Sequence, residues 1–226
     1  MRFSLTADHR EFFNKNNYIE LQGILPLAQV ASLKKHAIEA LEKKLNLSFA
    51  KIQKKPSREL FLAGYDLWRS SDPIKKIVHK NAIATVASEL FQTFPLRFGF
   101  DQYFLIDENS ISPFAENFTL QETSCLSPIA GALILPLEDL SAPLPFFPMP
   151  ENAGSGLFIS PSLPIPWKEL FATPGLNFIM IAFAPKKTFF LADTRDPHAI
   201  TLKKLGYVFN EFLRNPTHPI LLNKGS

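Results

Sequence analysis

The chain has 226 residues, 46% of them hydrophobic and 20% charged, with 22 Phe, 19 Pro and only 9 Gly. That much apolar side chain offsets the entropy of ordering and excludes a disordered chain, while the single Cys125 excludes an intrachain disulfide or a Cys-rich zinc site. The formal net charge is only +3, no apolar run approaches a membrane span, and Asp8, His9, Arg10 and Glu11 deny the start a signal-peptide core, so a cytoplasmic protein with no membrane partner is expected.

Thr6 caps a short helix beginning at Ala7, with Asp8 near its positive end, and Asn16-Asn17 ends it. Tyr18 to Gln22 alternates as a short strand. After Gly23 and Pro26, the spacing of Val30, Leu33, Ala37 and Leu41 predicts a helix over 28–45. Lys51 to Ser57 reads as a loop, and Glu59 to Trp68 favours no element. Asp72 as cap and Pro73 as first residue start another helix, with Ile74, Ile77, Val78, Ala82, Val86 and Leu90 as its stripe and Pro95 as its stop.

The period then changes from helical to alternating. Leu96 to Ile106 predicts a long strand with Phe98, Phe100, Gln102, Phe104 and Ile106 on one face. Phe118 to Leu126, Ala130 to Leu137, Gly156 to Ser160, Leu176 to Ala184 and Thr188 to Ala192 follow as strands. Residues 197–213 fit either element, and the Asp196-Pro197 start favours a helix. Helices first and then a run of short strands with Pro-rich turns imply an α+β chain. Its expected form is a single domain over 1–226, with a mainly helical part (1–95) covering a jelly-roll part (96–222).

Several common chemistries find no motif. Gly154-Ser-Gly156 lacks the third glycine of a dinucleotide loop, no Gly-Lys-Ser/Thr exists for a phosphate loop, and Ser155 is not in a nucleophile elbow. Cys125 is expected as a small core residue rather than a nucleophile paired with His198. From Lys34 to Arg58, eight Lys/Arg stand against two Glu. This basic segment reads first as a solvated helix face and a lysine-rich loop, with nucleic-acid contact as the alternative.

Three phrases, in order, carry a resemblance. They are Phe13 to Leu25 before the 28–45 helix, Leu133-Ile-Leu-Pro-Leu-Glu-Asp139, and Glu151 to Ser162. Together they resemble the Fe(II)/2-oxoglutarate-dependent oxygenases, most of all the phytanoyl-CoA hydroxylase branch. The resemblance implies a double-stranded β-helix (jelly-roll) core and iron held by a His-x-Asp motif and a distal His. At the matching positions stand Gln121 and Thr123, which bind iron far more weakly than imidazole and carboxylate. Glu122, Asp193 and His198 are the remaining candidate ligands, and Lys203 or Lys204 occupies the region of the Arg that grips 2-oxoglutarate. The expectation is a degenerate member without catalysis or cofactor, binding or regulating through a small molecule or protein. The alternatives are an oxygenase with an atypical site, using Fe(II) and 2-oxoglutarate, and a DNA-binding regulator acting through segment 34–58.

Overall fold

A computed structural model describes residues 4–191 and 196–223. The helical part comprises α1 (Ala7–Asn16), α2 (Leu27–Leu45), α3 (Phe49–Ile52), α4 (Ser57–Ala63), a 3-10 turn (Leu67–Arg69), α5 (Asp72–Val78) and α6 (Asn81–Leu90). The strands are β1 (Tyr18–Leu21), β2 (Leu96–Leu105), β3 (Leu126–Ser127), β4 (Gly131–Pro136), β5 (Gly156–Ile159), β6 (Asn177–Pro185), β7 (Phe189–Phe190) and β8 (Ile220–Leu222). Two short helices, α7 (Trp167–Phe171) and α8 (Ala199–Lys204), interrupt the strand region.

Six strands form one antiparallel sheet in the order β1-β5-β4-β6-β2-β8, and β3 pairs with β7 in a second, two-stranded sheet. The large sheet is covered on both faces, which is why β4 and β6 are apolar without a break. On β6, Ile179, Ile181 and Phe183 join the core under the helices, while Phe178, Met180 and Ala182 point to the opposite, interior core. On β4, Leu133 and Leu135 pack outward against the helices and Ala132 and Ile134 inward. Leu126 and Phe190 of the small sheet close the interior core from its other side.

Local chemistry accounts for the elements read correctly. Thr6 caps α1 by accepting the His9 N–H at 3.2 Å, and Asn17 closes it in the left-handed conformation. Val30, Leu33, Ala37 and Leu41 are the buried stripe of α2.

Several expectations are corrected. The stretch 118–126 is mostly turn, not strand. The Glu122 carboxylate accepts from the Thr119 N–H and hydroxyl, and the Thr123 N–H returns to the Thr119 carbonyl, so side chains take the place of a ladder. The helix expected from Pro73 to Leu90 breaks at His79-Lys80, and Ser71 rather than Asp72 is its N-cap. Part of the loop expected over 51–57 is helical, as the end of α3 and the start of α4. The strand expected over 188–192 is two residues long, with Ala192 outside the described residues, and the helix expected within 197–213 ends at Lys204. Strand β8 had no sequence signal beyond three apolar residues after Pro219.

The face of β2 also differs from simple alternation. The register with β6 slips between Phe98 and Phe100, so Gly99 is an extra residue. Phe98 therefore packs under the helices with Tyr103, while Phe100, Phe104 and Ile106 enter the interior. Beyond the two residues that pair with β8, the free edge of β2 is covered by residues 64–66 acting as a partial strand. Tyr103 N donates to Gly64 O at 2.9 Å, and Asp66 N to Asp101 O at 2.8 Å. This approach leaves no room for a side chain at Gly64, where a Cβ would stand 2.3 Å from the Tyr103 carbonyl oxygen. Gly64→Ala is expected to lower stability by about 1–3 kcal/mol through overpacking against backbone, read as an earlier midpoint in chemical denaturation.

Candidate functional site

The centre of the fold is an aromatic interior that holds a small, mostly apolar cavity. Trp167, Phe104 and Phe178 stack in sequence, with centroids 5.8 and 4.4 Å apart and interplanar angles of 23° and 13°. Phe114 packs on Trp167 at 5.0 Å. The cavity beside this stack has a volume of about 20 Å³, and Gln102, Thr123, Asp196 and His198 supply its polar wall. That is room for about one water-sized molecule.

His198 is the N-cap of α8 and is 5% exposed. Its ring lies between Tyr65, 4.0 Å away at 18°, and Phe61, 4.7 Å away at 26°. Among the described residues neither ring nitrogen has a hydrogen-bond partner. Burial pushes its pKa down to about 3, with Lys44 acting in the same direction, so the imidazole is neutral. Asp196 binds backbone with both oxygens: Oδ2 accepts the Cys125 N–H at 2.6 Å and Oδ1 the His198 N–H at 2.7 Å. Gln102 donates through Nε2 to the carbonyls of Phe61 and Tyr103 at 2.9 and 3.0 Å. Its Oε1 and the Trp167 indole N–H have no partner among the described residues.

Behind Tyr65 is a buried charged cluster. The fully buried Asp101 carboxylate accepts the Leu67 N–H at 3.0 Å and the Trp68 N–H at 3.2 Å. Burial raises its pKa to about 8, the Asp66 carboxylate pushing the same way against the two N–H donors. Asp66 accepts from Arg69 Nε at 2.7 Å and from the Trp68 indole at 3.3 Å. Lys44 reaches in from α2 to donate to the Tyr65 carbonyl at 2.6 Å, and burial lowers its pKa.

The residues singled out in sequence scatter. Thr123 lines the cavity, but its hydroxyl donates to the Thr119 carbonyl at 3.1 Å. Gln121 does not share its face: Oε1 accepts the Ile129 N–H at 2.9 Å, and Nε2 reaches the Leu126 carbonyl at 3.4 Å, bracing the turn before β4. Glu122 is exposed and engaged with Thr119. Lys203 and Lys204 are exposed on α8, with the Lys203 ammonium 4.7 Å above the Phe209 ring. Asp193 lies outside the described residues. In the basic segment, Lys34, Lys35 and Lys55 pair with Glu138, Glu39 and Glu59.

The iron that the resemblance implies needs two imidazoles and a carboxylate on one face. Among the described residues no group of three His, Cys, Asp or Glu is placed to hold a metal ion. The cavity offers one His, one Asp already bound twice to backbone, and neutral Gln and Thr oxygens. These residues do not make that set. Sequence reasoning missed Gln102, Tyr65 and Trp167. Gln102 alone left a visible signal, as the one polar side chain in an alternating run of Phe and Ile.

No family model matches the chain, and no curated protein matches it in sequence. Solved structures do match it. The non-heme alpha-ketoglutarate-dependent carbocyclase SnoK from nogalamycin biosynthesis aligns with a TM-score of 0.69 at 11% identity, over 95% of this chain and 96% of that one. HygX from Streptomyces hygroscopicus, solved with nickel and 2-oxoglutarate bound, aligns at 0.53 and 15% identity, over 92% and 98%. CT296 from Chlamydia trachomatis aligns at 0.50 and 17% identity, over 81% and 98%. At these identities the likeness is one of fold: the chain has a mixed helix and antiparallel-sheet structure of the type found in non-heme 2-oxoglutarate-dependent enzymes.

Two outcomes follow from the site's electrostatics. Asp101→Ala strips Leu67 and Trp68 of their acceptor and is expected to cost about 1–3 kcal/mol, measured by equilibrium denaturation. His79, His198 and His218 have folded pKa values lowered to about 4, 3 and 3, chiefly by burial. Each is protonated more readily when unfolded, so each contributes stability that is fully present above about pH 6.5 and lost as pH falls toward its folded value. His198→Phe removes one of the three. The slope of unfolding free energy against pH between about 6 and 4 should flatten by roughly one proton.

Proposed function

We propose that this chain is a binding or regulatory protein built on the 2-oxoglutarate oxygenase fold, and that it does not catalyse oxygenation. One observation carries the reading. The barrel centre, where such an enzyme needs iron, 2-oxoglutarate and substrate together, is a cavity of about 20 Å³ walled by stacked aromatic rings. Pockets for small organic ligands run to roughly 300–1,000 Å³. The donor set agrees with the volume, because His198 and Asp196 are the only imidazole and carboxylate on the cavity wall among the described residues.

The phytanoyl-CoA hydroxylase-like branch and the jelly-roll description belong to the same reading. They are supported by the chain order of α1, β1 and α2 before the sheet and by the pairing of the small β3–β7 sheet opposite the large one. Asp139 in the Leu-Glu-Asp phrase accepts the Ala153 N–H at 2.8 Å, tying the end of that phrase to the next one.

The reading is tested by adding Fe(II), ascorbate and 2-oxoglutarate and measuring succinate, together with calorimetric titration of Mn(II) with and without 2-oxoglutarate. The expected result is succinate at the protein-free background and no stoichiometric metal binding at micromolar concentrations. Succinate above background that His198→Phe abolishes, or one Mn(II) bound per chain with micromolar affinity, overturns it.

A further inference from the structure

A recess bordering the N-terminal helix shares no lining residue with the barrel centre. It is a groove of about 610 Å³ between α1, β1 and the proline-rich loop, within the range of small-ligand pockets, roughly 300–1,000 Å³. Its floor is apolar and well supported. Phe147, Met149 and Ile19 present surface to it while being 4–5% exposed, anchored in the two cores. Phe12 stands at its edge 45% exposed, against the edge of Tyr18 at 5.8 Å. An exposed Phe next to a preformed apolar recess is a surface awaiting cover.

Among the described residues, the carboxylates Asp8, Glu20 and Glu151 line this groove, and His9 is the one lining residue with a basic side chain. His9 is committed to the α1 cap, where its Nδ1 accepts the Thr6 N–H at 3.3 Å. Among the described residues the acids held in ion pairs are others: Glu39, Glu59, Asp66, Glu89, Glu138 and Glu211. Glu20 and Glu151 repel each other closely enough to help raise the Glu20 pKa, after the larger effect of burial. On a chain of net charge +3, three unpaired carboxylates around an apolar floor are a specific electrostatic preference.

We propose that this groove binds a small organic cation, an ammonium or guanidinium group carried on an apolar body. The body covers Phe147, Met149 and Leu144, and the cation sits between Glu20 and Glu151, within reach of the Phe12 and Tyr18 rings for cation–π attraction. The inference stands apart from the reading of the barrel centre, since the two sites share no residue.

The probe is 4-phenylbutylamine, titrated by calorimetry beside 4-phenylbutanol, which keeps the body and lacks the charge, and spermidine, which keeps charge and lacks the aromatic body. The amine should bind at least several-fold more tightly than either. Glu20→Gln, Glu151→Gln and Phe12→Ala should each weaken it by roughly three- to tenfold, with unchanged circular dichroism, and added salt should weaken it further. Equal affinity for amine and alcohol overturns the proposal, as does tighter binding of spermidine, amine binding that all three variants leave unchanged, or no binding at millimolar amine.

Discussion

The Asp101 carboxylate is the interaction on which the interior depends. It projects from β2 to the helical side, accepts two consecutive backbone N–H groups at Leu67 and Trp68, and through its own carbonyl takes a third from Asp66. A short irregular segment is thereby fixed along the otherwise open edge of β2. That fixation sets Tyr65 against Phe100, 5.2 Å away, and against His198. Burying a carboxylate is costly even when its hydrogen bonds are made, and here burial with Asp66 outweighs the two N–H donors and Lys44, which is why the Asp101 pKa rises to about 8. The segment carries the same constraint further, because Gly64 lies so close to β2 that Gln102 must turn its amide to the Phe61 and Tyr103 carbonyls.

Those placements explain why the centre is so closed. Tyr65 enters from the segment between α4 and the 3-10 turn, His198 from the start of α8, and the Trp167–Phe104–Phe178 stack packs beside them through Phe61. The polar groups left among the rings are few: Gln102, Thr123, His198 and the Asp196 carboxylate. The fold shared with SnoK and HygX supplies the architecture around such a centre, but fold alone does not supply chemistry. Among the described residues, aromatic side chains leave a cavity of about 20 Å³ at this centre, and the proposed function rests on that packing. The outer surface carries the larger recess, with apolar side chains and acids arranged around it.

Much of the fold was legible because local and tertiary preferences agree. The Thr6 cap, the α2 stripe and the apolar runs of β4, β5 and β6 state the same structure at each level. The failures have specific causes. Residues 118–126 alternate like a strand, yet Thr119, Glu122 and Thr123 bond to nearby backbone and close a turn, a competition that periodicity does not register. The bulge at Gly99 lies between the Phe98–Phe183 and Phe100–Ala182 pairs and is set by a distant strand, so it has no local signature. The candidate site was the least legible part. Gln121 and Thr123 share a face only if the strand exists, and its absence removes that pairing. Asp101 and Asp66 carry no sequence signal, because what makes them unusual is burial by distant segments.

The central claim, that aromatic packing closes the barrel centre to iron and 2-oxoglutarate, is tested most directly by crystals grown with Mn(II) and 2-oxoglutarate in excess, measured for manganese anomalous scattering. The account predicts the Tyr65–His198–Phe61 stack intact, with no anomalous peak and no 2-oxoglutarate density beside Gln102 and His198. An anomalous peak within bonding distance of His198, with 2-oxoglutarate chelating the metal and the aromatic stack displaced, would contradict it.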